Sequence, residues 1–191
     1  MAADLLAVGL GNPGAEYEGT RHNVGAEVVA LLAARGGERL KRGKELALVA
    51  EIRLGGRRLA VAFPQTWMNE SGQSAQALVR RHDVGVERLV VVHDELDLPT
   101  GKVKVKVGGG LAGHNGLKSL KAHLRDDGFM RVRIGIGRPP GRLNGADYVL
   151  SRPGKAERTE LDIAVEQAAD AVELILAEGV EVAMARTNGT T

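Results

Sequence analysis

The sequence predicts a single α/β domain, a mixed and twisted sheet flanked by helices. Three observations lead there. Short apolar runs that end in glycine or in polar clusters alternate with stretches of helical periodicity. Residues 46–54 and 59–63 read as two strands joined by Gly55-Gly56, a hairpin signal, so the sheet cannot be purely parallel. A chain of 191 residues, 43% hydrophobic and without an internal repeat, suits one core rather than several. The domain is expected over residues 1–186, with residues 187–191 as a disordered tail.

Each element has a local reason. Residues 5–10 are apolar and stop at glycine, which marks a buried strand. Thr20 is a candidate N-cap; Val24, Val28, Leu31 and Leu32 follow at helical spacing, and Gly36-Gly37 closes the helix. Ala75, Leu78 and Val79 suit a helix after Gly72, and residues 89–92 form a β-branched apolar run expected at the sheet centre. Residues 102–107 alternate lysine with valine, which predicts a half-exposed strand with Lys102, Lys104 and Lys106 on one face. Leu117, Leu120 and Leu124 mark another helix. Val132, Ile134 and Ile136 alternate with Arg131, Arg133 and Gly135 as a strand, and two prolines and two glycines make residues 138–145 a loop. The longest helix comes last, with Leu161, Ala164, Val165, Ala168, Val172, Ile175 and Leu176 on its inner face.

Composition excludes several classes. Cysteine is absent, which removes disulfides, thiolate nucleophiles and Cys-zinc sites. Aromatics are 3% of the chain, too few for a row of base-stacking side chains. No apolar run nears the roughly 18 residues that span a membrane, and residues 1–4 do not begin a secretory signal, so a cytoplasmic protein is expected. Charge is uneven: residues 101–150 hold ten Lys or Arg against three Asp, whereas residues 151–191 hold four against eight acidic residues. A basic segment around a glycine-rich loop points to a phosphate-rich partner; a solvated basic surface is the plain alternative.

The candidate chemistry lies in four segments. Gly9-Leu10-Gly11-Asn12-Pro13-Gly14 matches G-x-G-x-x-G after a strand, but Pro13, Gly14 and Gly19 prolong a loop where a dinucleotide site needs a helix, and no acidic residue stands about 20 residues on. Asn12 instead offers a neutral carboxamide at a strand's carboxyl end; a turn-forming asparagine is the alternative. Thr20-Arg21-His22-Asn23 puts His22 at a helix N-terminus, where partial positive charge disfavours its protonation and favours a base. An orienting carboxylate is available in His93-Asp94-Glu95-Leu96-Asp97; His93, Asp94, Glu95 and Asp97 are also possible metal ligands, but no spacing among them specifies a metal site and no metal is expected. Five glycines within residues 108–116 permit close backbone approach or a moving flap, and Asn115 opens the following helix, where it could be a simple N-cap. Residues 66–72 place Trp67, Met68 and Asn69 together, as in a pocket wall or a tucked loop. With no G-x-S-x-G elbow and no cysteine, an acyl-enzyme is disfavoured and direct water attack fits the remaining groups.

Taken in order, these segments resemble the bacterial peptidyl-tRNA hydrolase family. The resemblance rests on Gly11-Asn12-Pro13-Gly14, Tyr17, residues 20–25, Met68-Asn69-Glu70-Ser71-Gly72, residues 93–99, residues 108–118 and residues 131–137, so it covers nearly the whole chain. It implies cleavage of the ester between a peptide and tRNA by an α/β protein, usually monomeric, that needs no metal or cofactor. It implies His22 as general base, Asp94 as its orienting partner and Asn12 as the group reading the blocked amino end. Asn69 and Asn115 would position substrate and water, and Tyr17, Trp67, Met68 and Gly113 would line the substrate site. Lys106 and Arg133 match the positions that grip the 5′ phosphate of the acceptor stem, so the partner is the acceptor stem and 3′ end of peptidyl-tRNA, not a membrane. Gly11 and Trp67 depart from the alanine and phenylalanine frequent in the family. A non-catalytic tRNA or RNA binder and a dinucleotide-dependent oxidoreductase stay open as alternatives.

Overall fold

In the computed structural model, which describes residues 2–189, the apolar run after Asp4 becomes β1 (Leu5–Gly9), near the middle of the sheet. That sheet also contains β2 (Lys41–Arg42), β3 (Ala47–Leu54), β4 (Arg57–Pro64), β5 (Leu89–Glu95), β6 (Val103–Val107) and β7 (Met130–Gly135), in the order β2-β3-β4-β1-β5-β7-β6. β1 runs parallel to β4 and β5, and β5 to β7. The β3–β4 hairpin and the two outer pairs are antiparallel, so the sheet is mixed, as the hairpin signal requires.

Strand alternation splits the core in two. Leu5 and Ala7 face α1 (Val24–Arg35), α5 (Lys155–Glu178) and α6 (Val180–Thr187), whereas Leu6 and Val8 face α2 (Ser71–Arg81) and α3 (Asn115–Leu124). All seven apolar residues expected on the inner face of α5 are buried. Among the described residues no helix is long and apolar enough to cross a membrane.

The first turn of α1 touches strand backbone directly. A Cβ on Gly9 would lie 2.1 Å from the Gly25 carbonyl oxygen, and one on Gly25 would lie 2.2 Å from that of Val92. This contact accounts for Gly9 in the G-x-G-x-x-G run without a pyrophosphate. It also brings the residues just before α1 over the carboxyl ends of β1 and β5.

Four features differ from the sequence reading. β2 has only two residues, both charged and exposed, and exists through its pairing with Leu48 and Val49. Asn144 caps a short helix, α4 (Gly145–Val149), so the loop ends there. The long helix is not the last, because Gly179 at φ 93° turns the chain into α6. The expected tail begins too early: Thr187 is helical, and the Asn188 amide bonds both the N–H and the carbonyl of Val105 on edge strand β6, at 2.7 and 3.0 Å. Thr190 and Thr191 of that tail lie outside the described residues.

Candidate active site

Loops after the parallel strands converge above their carboxyl ends, where open α/β sheets place ligands. A 3₁₀ turn, Arg21–Asn23, precedes α1 and carries His22. Its Nδ1 lies 2.8 Å from Oδ2 of Asp94, near the end of β5. Asp94 is 3% and His22 9% exposed. The other oxygen, Oδ1, lies 2.8 Å from Nε2 of His114. Each oxygen of one buried carboxylate therefore faces one imidazole.

Burial opposes the charge on Asp94, but the nearby His22 and His114 rings and their hydrogen bonds hold its carboxyl well below the usual range. For His22 burial favours the neutral ring; the Asp94 charge and hydrogen bond outweigh it and raise the pKa above the ordinary imidazole value. The helix N-terminus does not set the direction, contrary to the sequence expectation. With Nδ1–H donated to Asp94, the lone pair of Nε2 has no partner among the described residues.

Asn12 is held on three sides. Its N–H donates to Asn23 Oδ1 and its carbonyl accepts from Asn23 Nδ2, both at 2.9 Å, while its side-chain Oδ1 accepts from the Met68 N–H at 2.7 Å. These bonds settle which end of the carboxamide is which. They leave Nδ2, a donor, as the group available to a ligand. Asn23 is a site residue that the sequence reading quoted without a role; a second asparagine beside His22 is the only signal it carries.

Met68 is buried, and a Cβ on Gly116 would stand 2.7 Å from its sulfur, so the start of α3 rests against it. Asn69 and Asn115, the chain neighbours of that contact, are exposed at its rim. Asn115 is not the helix cap: His114 is, its Nδ1 accepting from the N–H groups of Gly116 and Leu117. Tyr17 and Trp67 meet edge to face at 5.9 Å, with Trp67 52% exposed, so it is not a tucked loop residue. Gly113 is exposed in the glycine segment at φ 72°.

The rival metal-ligand set, which the sequence disfavours, does not come together. Successive residues on a strand point to opposite faces, and His93, Asp94 and Glu95 all belong to β5. His93 bonds the Asp94 carbonyl at 2.7 Å, and burial, with the His114 ring next, pushes it down to about 3, which keeps it neutral. Glu95 instead accepts from Arg133 Nε and from the Asp97 N–H, both at 3.2 Å. Among the described residues the donor atoms close enough for a metal belong to His22, Asp94 and His114, within 4.8 Å of one another. The 2.8 Å separations are hydrogen bonds; ligands on one zinc stand roughly 3.3 Å apart for bonds of about 2.0 Å.

The basic segment is divided. Lys104 and Lys106 lie opposite Arg133 and Arg131 in the β6–β7 register, so the four share one face. Lys102 precedes the strand and is not part of the row. Arg131 is fully buried and donates to the Gly109, Gly110 and Asp127 carbonyls, so it braces the glycine segment and is no phosphate grip. Burial, followed by the charges of Arg133 and Arg131, lowers the Lys106 pKa. Arg21, also without an assigned role in the sequence, pairs with Glu157 at 2.7 and 2.8 Å and stacks on the Tyr148 ring at 4.0 Å, fastening the His22 turn to α5 and α4.

The sequence matches the family model described as Peptidyl-tRNA hydrolase over residues 6–191. It is 50% identical over 182 residues to "Peptidyl-tRNA hydrolase" of Mycolicibacterium vanbaalenii, covering 95% of each chain. It is 52% identical over 179 residues to the protein of that name from Nocardia farcinica, covering 93% of each. The fold superposes on the crystal structure of peptidyl-tRNA hydrolase from Acinetobacter baumannii with a TM-score of 0.92 at 35% identity, covering 100% of this chain and 98% of that one.

Proposed function

The chain belongs to the peptidyl-tRNA hydrolase family, and from that premise we propose that it cleaves the peptide–tRNA ester by direct water attack with His22 as general base. The observation that carries this reading is the His22–Asp94 contact at 2.8 Å, in which a buried carboxylate holds one ring nitrogen and leaves the other open. His22 Nε2 takes a proton from water as the oxygen attacks the ester carbonyl. The carbonyl becomes a tetrahedral oxyanion, and the ester oxygen leaves as the 3′-terminal ribose hydroxyl with the proton returned by the imidazolium. Asn69 and Asn115 stand at the rim as donors for substrate and water. The test is incubation with N-acetyl-aminoacyl-tRNA: release of N-acetyl-amino acid is expected, and binding of tRNA without release would favour a non-catalytic RNA binder.

Asn12 reads the acylated end. Because its Oδ1 is committed to Met68, it offers Nδ2–H to a peptide carbonyl. Asn12→Asp would keep the Met68 bond but turn a carboxylate oxygen on that carbonyl, while attracting the free ammonium of an aminoacyl-tRNA. The ratio of kcat/KM for N-acetylated over free aminoacyl-tRNA is expected to fall roughly 10–100-fold, as for an unpaired buried polar group of about 1–3 kcal/mol. An unchanged ratio would leave Asn12 as a brace for Met68.

Lys106 and Arg133 are the cations we assign to the 5′ phosphate of the acceptor stem, with Arg133 held through Nε by Glu95. Arg133→Ala and Lys106→Ala should each raise KM more than they lower kcat. Each should flatten the slope of log K against log salt by up to about one unit. The penalty should shrink on tRNA lacking its 5′ phosphate, because the two losses share one contact. Equal penalties on both substrates would make the segment a diffuse steering surface. A monomer acting in the cytoplasm completes the reading.

A further inference from the structure

We propose that His114 is a positioning residue for the hydrolysis: a neutral imidazole, fixed by the start of α3, that locks the Asp94 carboxylate so that its other oxygen stays on His22. The inference rests on the reading of His22 as the base. Its first support is the tautomer. Nδ1 of His114 faces the N–H groups of Gly116 and Leu117 at 3.1 and 3.3 Å, so that nitrogen is an acceptor and the ring hydrogen sits on Nε2. Nε2–H therefore donates to Asp94 Oδ1 at 2.8 Å.

The second support is the choice of cap. Helices favour Ser, Thr, Asp or Asn at this position, and Asn115 stands one residue on, yet the helix opens on the histidine. Capping alone does not call for an imidazole. A ring that caps with one nitrogen and donates with the other joins the helix to a carboxylate that a shorter cap cannot reach.

The third support is the carboxylate itself. Asp94 is buried and each oxygen has one imidazole N–H, so turning the group breaks two bonds at once. The His114 and His22 rings lie 5.1 Å apart with a 44° tilt, so His114 also limits where His22 can swing. The glycine segment enters directly at Gly113, so a shift of that segment reaches the base through His114 and Asp94.

The decisive variants are His114→Asn and His114→Ser, which restore a cap but not the reach to Asp94. All three variants lose the Asp94 bond and should melt below the parent, but His114→Asn and His114→Ser should melt above His114→Ala, which loses the cap as well. In both, kcat on N-acetyl-aminoacyl-tRNA should fall about five- to fiftyfold from lost orientation, with KM within a few-fold. The acid limb of the kcat–pH profile should move to higher pH, because Asp94 then directs its whole charge at His22. Parent-like kcat and an unmoved limb in the capped variants would reduce His114 to a helix cap. Independently of any variant, ¹⁵N NMR of the parent should find the His114 hydrogen on Nε2 and the His22 hydrogen on Nδ1; a His114 hydrogen on Nδ1 would overturn the proposal. Full activity of His22→Ala would instead remove the underlying reading.

Discussion

His22→Ala is expected to lower kcat on N-acetyl-aminoacyl-tRNA by roughly 10²–10⁴-fold, the usual worth of a positioned general base, while tRNA affinity stays within a few-fold. The two effects separate because His22 lies over the strand ends, whereas the cations proposed for the 5′ phosphate, Lys106 and Arg133, lie on β6 and β7. The alanine variant keeps the turn, since Arg21 anchors it to Glu157, Tyr148 and Ser151 without help from the imidazole. In the parent, only neutral His22 can accept a proton, and the neutral form exists above its folded pKa. Asp94 raises that pKa above the ordinary imidazole value of about 6.5, so kcat should rise with pH through an acid limb lying above that value. A variant retaining more than half of the parent kcat would take His22 out of the mechanism.

What could be read beforehand was local. The strands and the long helices announce themselves by period and by flanking glycine, and Asn12, His22 and Asp94 stand in polar clusters at strand ends where packing does not call for them. What escaped depends on contacts between distant residues. Arg21 finds Glu157 across 136 positions, and Asn188 finds Val105 across 83. The alternation of Arg131 with Val132 reads as a strand with its arginines on one face, but β7 is interior and the carbonyls that cover Arg131 come from the glycine segment and from Asp127. β2 has no apolar residue and so no pattern to read. The rival metal set falls to a rule of strand geometry: alternation on one strand sends neighbours to opposite faces, once β5 is known to continue through Glu95. His114 was invisible because histidine carries little preference for a helix start, and its role needs Asp94, 20 residues away.

Asp94→Asn should cost nearly as much as loss of the base itself, roughly 10²–10⁴-fold in kcat, because the substitution forces His22 into the wrong tautomer. The carboxylate accepts one N–H from each ring. An amide has one accepting oxygen and one donating nitrogen, so one ring must surrender its hydrogen. His114 cannot, since its Nδ1 is engaged as acceptor by two backbone N–H groups. The amide oxygen therefore stays with His114, and its NH₂ turns to His22. His22 Nδ1 then becomes the acceptor, the hydrogen moves to Nε2, and the nitrogen meant to take a proton from water already carries one. Loss of the charge also removes what raises the His22 pKa, so the residual activity should show an acid limb at lower pH than the parent, the reverse of the shift expected for His114→Asn. The measurement is the kcat–pH profile of Asp94→Asn beside the parent, with KM followed on the same tRNA. Parent-like rates with an unmoved limb would mean that Asp94 neither orients His22 nor tunes it, and that the contact at 2.8 Å serves the fold alone.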